Sequence, residues 1–569
     1  MRALTILVLA AAACTSNGPA SVGTAPVTLH LIAFNDFHGQ LTSPGNPTRV
    51  PDPAAPEGSR DLPTGGVAWL AGLVAQLRAQ SSLNVVVAAG DLIGASPLES
   101  ALFHDEPTIE ALNALGLEYS AVGNHEFDEG IDELLRMQKG GCRSTAPQDS
   151  CHGHAFTGAR FTYLAANVTD KASGKPVFPA SAVKTFDVGQ GRTLKVGFIG
   201  AVVKSVPELV VHGGVDTLSF GDEAAAANAA VPGLRAQGVD AIVLLIHEGG
   251  RTSGRAFDDT TCPDFRGDIL PILDRLDPAI DVVISGHTHL AYVCRHNGRL
   301  VTSAGSQGRF ATDVQLIFDR KQHRLVGASA RQLAAVNDSA PNPYAARYPT
   351  VEKDAAAEAI MVRYRAAAAP LMDRLVAAVT GSIPKDVSES GESPLGDLIA
   401  NAHLAATSAA EDGGAQIAFM NTGGIRTGLH ARNGHVTYGA IHAVHPFGNV
   451  LVTMTLTGAD IHELLEQQWV AGGSKLVPSE GFTYEWSGAA PPGSKIDPSS
   501  IRLNGVVIEP ARSYRVTVNE FLAGGGDGFT VLTRGTDKVR GIVDVEALER
   551  YLVAHSPVSP PRVGRVRKK

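Results

Sequence analysis

The chain has 569 residues, 44% of them hydrophobic and 18% charged, with a formal net charge of −9. That length exceeds one ordinary domain, and the composition is that of a globular protein, which excludes a largely disordered one. No long basic run is present, so nucleic acid is not expected as a partner, whereas a small anionic ligand stays compatible because a local site can be cationic.

Residues 1–25 hold the features of an export signal. Arg2 opens it, Leu4 to Ala13 are apolar, and small residues precede Cys14. The apolar stretch is too short to cross a bilayer as a helix. Cys14 follows three alanines and resembles a lipoprotein cleavage site, which implies membrane anchoring through a lipidated Cys14. The larger aliphatic residue usual three positions earlier is missing, and an ordinary signal peptide cleaved a few residues later is the alternative. Without Cys14, four cysteines remain: Cys142, Cys151, Cys262 and Cys294. An even number suits an oxidising compartment. Sequence order favours Cys142–Cys151 and Cys262–Cys294, although four cysteines allow three pairings. Cys142, Cys151, His152 and His154 could instead hold zinc, but their spacing matches no standard zinc motif.

Residues 15–26 and 42–64, rich in Pro, Gly, Ser and Thr, read as linker and loop. A strand over His30–Phe34 lies between them. Val67 to Leu77 has helical apolar spacing. Strands and helices then alternate: strands at Val85–Ala89, Tyr119–Val122, Leu194–Ile199, Ala241–Ile246 and Val282–Ser285, and helices near Pro107–Leu115, Asp222–Gln237 and Ile269–Leu276. Val314–Phe318 and Leu325–Leu333 close this region as a hairpin. The pattern is that of a layered α/β domain over 26–340.

The segment 341–380 reads as a linker, with an alanine-rich helix from Val351 to Val379 that Pro370 kinks or breaks. A smaller second domain over 381–569 follows. It has a helix at Leu395–Thr407, a strand at Ala415–Met420, an alternating strand at Val450–Leu456, and a helix at Gly458–Trp469. A hairpin at Ile501–Ile508 turns on Asn504-Gly505, and a strand at Tyr514–Val518 comes next.

Five apolar runs of the first region stop at polar residues of ligand type. They run into Asn35-Asp36-Phe37-His38, Gly90-Asp91, Gly123-Asn124-His125-Glu126-Phe127-Asp128, His247-Glu248 and Gly286-His287-Thr288-His289. One histidine after a strand is usually structural. Five strand ends that all carry Asp, Asn or His point to a shared site, because ligand sites in α/β folds gather at the carboxyl ends of strands.

These motifs stand in the order found in calcineurin-like metallophosphoesterases. Asn421-Thr422-Gly423-Gly424-Ile425-Arg426 and Gly524-Gly525-Gly526-Asp527-Gly528 narrow the likeness. Nearly everything after the N-terminal segment resembles the two-domain 5′-nucleotidase family, which includes periplasmic UDP-sugar hydrolases and ecto-5′-nucleotidases. The resemblance implies a four-layer metallophosphoesterase β-sandwich flanked by helices, plus a smaller α/β substrate-binding domain. It implies an exported enzyme, periplasmic or at the cell surface, that removes the 5′-phosphate from small nucleotides.

The chemistry of phosphate ester hydrolysis is served by two divalent ions about 3.5–4 Å apart, which neutralise phosphoryl oxygens and provide hydroxide as nucleophile. Carboxylates, imidazoles and an amide suit Zn²⁺ or Mn²⁺. By resemblance, Asp36, His38 and His289 hold one ion and Asn124, His247 and His287 the other, with Asp91 bridging. His125 stabilises the transition state and Asp128 orients it. Arg426 and Asn421 meet the phosphate and nearby polar groups, Phe447 and Phe521 sandwich the base, and Asp527 binds the ribose. One departure stands out: Ser388 to Gly396 holds no arginine where several family members carry a further phosphate-binding one. UDP-sugar diphosphatase, cyclic-nucleotide phosphodiesterase, a sulfur-oxidation hydrolase of related type and a non-catalytic nucleotide-binding protein are the alternatives.

Overall fold

The computed structural model describes residues 26–569 except 56–57, 144–149, 190, 255, 320–321, 323 and 470–473. The export segment with Cys14 lies outside the described residues. Among the described residues, no helix is long and apolar enough to cross a membrane.

The first domain is built on two six-stranded sheets. In one, the order is Arg324–Ala334, Phe310–Asp319, Val27–Phe34, Asn84–Ala89, Tyr119–Ala121, Thr162–Leu164. The last four strands run parallel. In the other, the order is Ala291–His296, Arg299–Ala304, Val282–Ser285, Ala241–His247, Thr193–Val202, Ser181–Asp187, and the inner four are parallel. Strands buried on both faces should be continuously apolar rather than alternating. Val85, Val86 and Val87 and the run Ala241–Ile246 are accordingly all buried. The sheets pack face to face through Leu29, Leu31, Val85, Val87, Val196, Phe198, Val243 and Leu245. The outer face of the first sheet is covered by the helices Val67–Gln80 and Glu106–Leu115, and that of the second by Glu223–Ala236 and Ile269–Arg275.

The second domain has a five-stranded sheet, ordered Leu476–Pro478, Ile417–Asn421, Ser513–Asn519, Val450–Thr457, Thr536–Val543. The helices Pro394–Thr407, Tyr438–Val444 and Asp544–Ala554 cover one face, and the helix Gly458–Gln467 packs into the core of the other. The hairpin at 501–508 turns on Asn504 (φ 51°) and Gly505 (φ 79°), the paired positive φ that such a two-residue turn requires.

The strands Ser181–Asp187, Ala291–His296, Arg299–Ala304 and Thr536–Val543 and the helix Asp544–Ala554 are not assigned from the sequence, and two stretches that are assigned come out otherwise. Residues 42–64 contain a hairpin, Thr48–Pro51 against Ser59–Leu62, whose charged, alternating residues carry no strand signal by themselves. The alanine-rich helix runs only over Ala355–Met372. Pro370 falls in its last turn, where it removes one i→i−4 hydrogen bond just before the helix ends. Leu375–Ala378 then forms a strand against His435–Thr437, so tertiary pairing overrides helix propensity there. This helix lies on the first domain: Ala357, Tyr364 and Ala368 are fully buried in its core, and the Tyr364 hydroxyl donates to Glu110 at 3.0 Å. Cys142 is bonded to Cys151 and Cys262 to Cys294, with Cα separations of 5.4 and 5.3 Å. That leaves no thiolate for a zinc site at Cys142 and Cys151.

Candidate active site

Where the parallel strands of both sheets end, their loops meet at one place. Asp36 and His38 follow Val27–Phe34, Asp91 follows Asn84–Ala89, and Asn124 and His125 follow Tyr119–Ala121. His247 ends its own strand, and His287 and His289 follow Val282–Ser285. Asp36, His38, Asp91, His287 and His289 all have φ between 49° and 70°. Left-handed backbone is uncommon for non-glycine residues and concentrates at functional sites. The approach of the loops demands glycine at Gly123, where a Cβ would overlap the Asp91 carboxylate.

Two groups of ligand-type side chains share Asp91. One is Asp36, His38, Asp91 and His289; the other is Asp91, His247 and His287, and within each the ligand atoms lie within 4.8 Å of one another. Asn124 joins the second, its Oδ1 at 3.2 Å from His247 Nε2. His38 Nε2 and His289 Nε2 stand 3.0 Å apart, and His287 Nδ1 and His247 Nε2 3.3 Å apart. The other ring nitrogens of His38 and His247 are taken: His38 Nδ1 donates to Gly94 O at 2.9 Å and His247 Nδ1 to Ala89 O at 2.8 Å. The Nε2 of His38 and that of His247 are thereby aimed at the cluster. Burial pushes His287 down to about 3, with the charge of His247 adding to it, and burial holds His38 well below the ordinary imidazole range; against its own burial, the Asp91 carboxylate raises His247 to about 10. Imidazoles, carboxylates and an amide oxygen converging on shared points are a donor set that fits divalent cations.

His125 stands beside this cluster. Its Nδ1 donates to Asp128 Oδ2 at 2.8 Å, and its backbone N–H donates to Asp91 Oδ1 at 2.9 Å. Burial opposes its charged form, but the carboxylates of Asp128 and Asp91 prevail and raise its pKa.

The second domain forms the other wall of the cleft. Asn421, Arg426, Phe447, Phe521 and Asp527 line it opposite Asn124, His125, Asp128 and His287. The Phe447 ring stacks on His125, centroids 5.6 Å apart and planes 18° apart. The Arg426 guanidinium lies 5.7 Å from the same ring. Asn421 Nδ2 donates to Asp527 Oδ2 at 2.8 Å, which orients a residue held at φ 55°. Gly526 is required beside it, because a Cβ there would come within 2.5 Å of the Phe521 ring.

Every site residue named from the sequence therefore lies in or beside one interdomain cleft. Sequence reasoning missed the residues that hold these in place. Glu126 is buried and accepts N–H groups from Asp91, Leu92 and Gly123 at 2.9, 2.8 and 2.5 Å, tying two ligand loops together. Asn35 donates to Asp36 Oδ2 at 2.6 Å and to Gly305 O at 2.8 Å. Asn449 and Asn519 line the cleft as well. Their adjacency to named residues was the only sequence signal.

Comparison with known proteins adds a lineage to this geometry. Residues 29–291 match the family model described as calcineurin-like phosphoesterase, and residues 376–534 match that of the 5′-nucleotidase C-terminal domain. The chain is 30% identical over 556 residues to the endonuclease YhcR of Bacillus subtilis, covering 96% of this chain and 41% of that protein. It thus spans less than half the length of that relative. It is 24% identical over 526 residues to the 5′-nucleotidase of Vibrio cholerae, covering 86% of each chain. Among solved structures, the 5′-nucleotidase precursor of Thermus thermophilus superposes with a TM-score of 0.72 at 27% identity, covering 95% of this chain and 99% of that one.

Proposed function

Because the chain belongs to the two-domain 5′-nucleotidase family, a calcineurin-like phosphoesterase domain joined to a 5′-nucleotidase C-terminal domain, we propose that it is an exported phosphohydrolase that removes the 5′-phosphate from nucleotides. The observation that carries this reading is one cleft with cation donors on its first wall and an arginine, two phenylalanines and an Asn–Asp pair on its second. The paired cysteines and the N-terminal segment support export.

Asp36, His38, Asp91 and His289 would hold one divalent ion, and Asp91, Asn124, His247 and His287 a second. Such ions supply Lewis acidity at the phosphoryl oxygens and lower the pKa of water. The chain's own groups do the rest. Asp128 fixes the His125 ring through Nδ1, so that Nε2 is the donor available to charge developing on the phosphoryl group. Arg426 offers a planar fork to phosphate oxygens. Phe447 and Phe521 accept the base by stacking, and Asp527, oriented by Asn421, accepts from ribose hydroxyls. Water oxygen bonds to phosphorus while the bond to the 5′-oxygen breaks, leaving nucleoside and inorganic phosphate.

A phosphate-release panel with added Mn²⁺ tests this. Nucleoside 5′-monophosphates should release phosphate faster than UDP-glucose or 2′,3′-cyclic nucleotides. Nucleotide binding without release from any of them would refute the hydrolase reading.

A further inference from the structure

Phe447 and Asn449 stand on a short loop between the helix Tyr438–Val444 and the strand Val450–Thr457. The loop turns at Gly448, which has φ 62° and is exposed. Both of its ends return to one buried residue, Asp544. At the start, His445 Nδ1 faces Asp544 Oδ2 at 3.3 Å, with both side chains almost wholly buried. At the finish, the Asp544 N–H donates to Asn449 O at 2.8 Å. Asp544 itself opens the helix Asp544–Ala554, and its second carboxylate oxygen accepts from Val545 N at 2.7 Å. The clamp is thus part of a helix packed into the domain core.

The surroundings hold the histidine ring in place. The buried His403 meets it edge to face, with centroids 5.8 Å apart. The carbonyl immediately before it, Val444 O, accepts the Arg426 N–H at 3.0 Å. An apolar ring could fill the same volume, and a buried pair is weak ground for stability. An apolar ring could not tie both ends of the loop to one residue.

We infer that His445 and Asp544 are positioning residues that set the pose of Phe447 and Asn449 against the base of a bound nucleotide, an inference that rests on the reading of the cleft given above. They touch no reacting atom and act through the loop alone. Their removal should weaken recognition of the base and leave the chemistry at the phosphate in place.

The test uses the full chain and three ligands: adenosine, which lacks phosphate; AMP; and ribose 5-phosphate, which lacks a base. In His445→Phe and in Asp544→Leu, calorimetric affinity for adenosine should fall about tenfold, toward the low end of what one stacked base contributes. KM for AMP should rise in parallel while kcat stays roughly constant, and ribose 5-phosphate kinetics should not change. His445→Gln, which keeps an N–H donor toward Asp544, should recover most of the affinity. A merely structural role would lower AMP and ribose 5-phosphate turnover together, and that result would overturn the inference. So would unchanged adenosine binding in both folded variants, or a wild-type protein that binds no adenosine. If wild type binds adenosine and the variants lose it, but AMP releases no phosphate, the hydrolase reading fails and the positioning role stands.

Discussion

Asp397→Asn should make the second domain more stable in alkaline buffer, by an amount that grows with pH. Asp397 lies in the first turn of the helix Pro394–Thr407, fully buried, and neither carboxylate oxygen accepts a hydrogen bond. Arg565 Nη1 is 3.7 Å away and is already engaged by Asn401 and Pro478. Burial raises the Asp397 pKa from 3.8 to about 8; Arg565 opposes the shift and Glu392 adds to it. The folded state therefore keeps a proton that the unfolded chain sheds near pH 4. Stability contributed by this group is full below that pH and is lost as pH rises through 8. A displacement of about four units corresponds to about 5 kcal/mol, a large share of a typical domain's stability. Asparagine keeps the shape and does not ionise, so the variant should come nearest to wild type below about pH 4 and exceed it increasingly up to about pH 8. Trp469 and Trp486 belong to the core of this domain, so urea unfolding followed by fluorescence in a Trp69→Phe background reports it. Parallel stability profiles for wild type and variant between pH 5 and 9 would refute the reasoning.

Other expectations concern the cleft. His125→Ala should lower turnover by about 10²–10³-fold, the cost of one preorganised donor, with metal content measured by mass spectrometry unchanged; parallel loss of metal would make His125 a ligand instead. Asp91→Ala, at the residue common to both donor groups, should lose bound metal and activity together, and a folded variant that keeps both would break the assignment. Gly526→Ala should push the Phe521 ring aside and raise KM for nucleotides more than for ribose 5-phosphate; equal effects on both would show that Phe521 does not face the base. Intact-mass analysis of the native protein should find no free thiols and a diacylated Cys14, and a mature N-terminus beyond Cys14 would remove the anchor from the reading.

The sequence alone determined the elements whose signal is local. The parallel strands could be read because burial on both faces makes them continuous apolar runs. Their carboxyl ends could be read as a site because Asp36, Asp91, Asn124, His247 and His287 each stand at or just past such a run. The turn at Asn504-Gly505 announces itself through the backbone conformations its residues tolerate. Tertiary structure decided whatever depends on partners distant in the chain. The strand Leu375–Ala378 forms because His435–Thr437 lies beside it, against an alanine-rich background that favours helix. Cys262 pairs with Cys294, as sequence order favoured among three possible pairings, because folding brings it within a Cα separation of 5.3 Å of Cys294 on the strand Ala291–His296. Glu126, Asn35, His445 and Asp544 are ordinary polar residues in sequence. Each takes on a role only when folding removes water and leaves it a few fixed partners for its hydrogen bonds or charge.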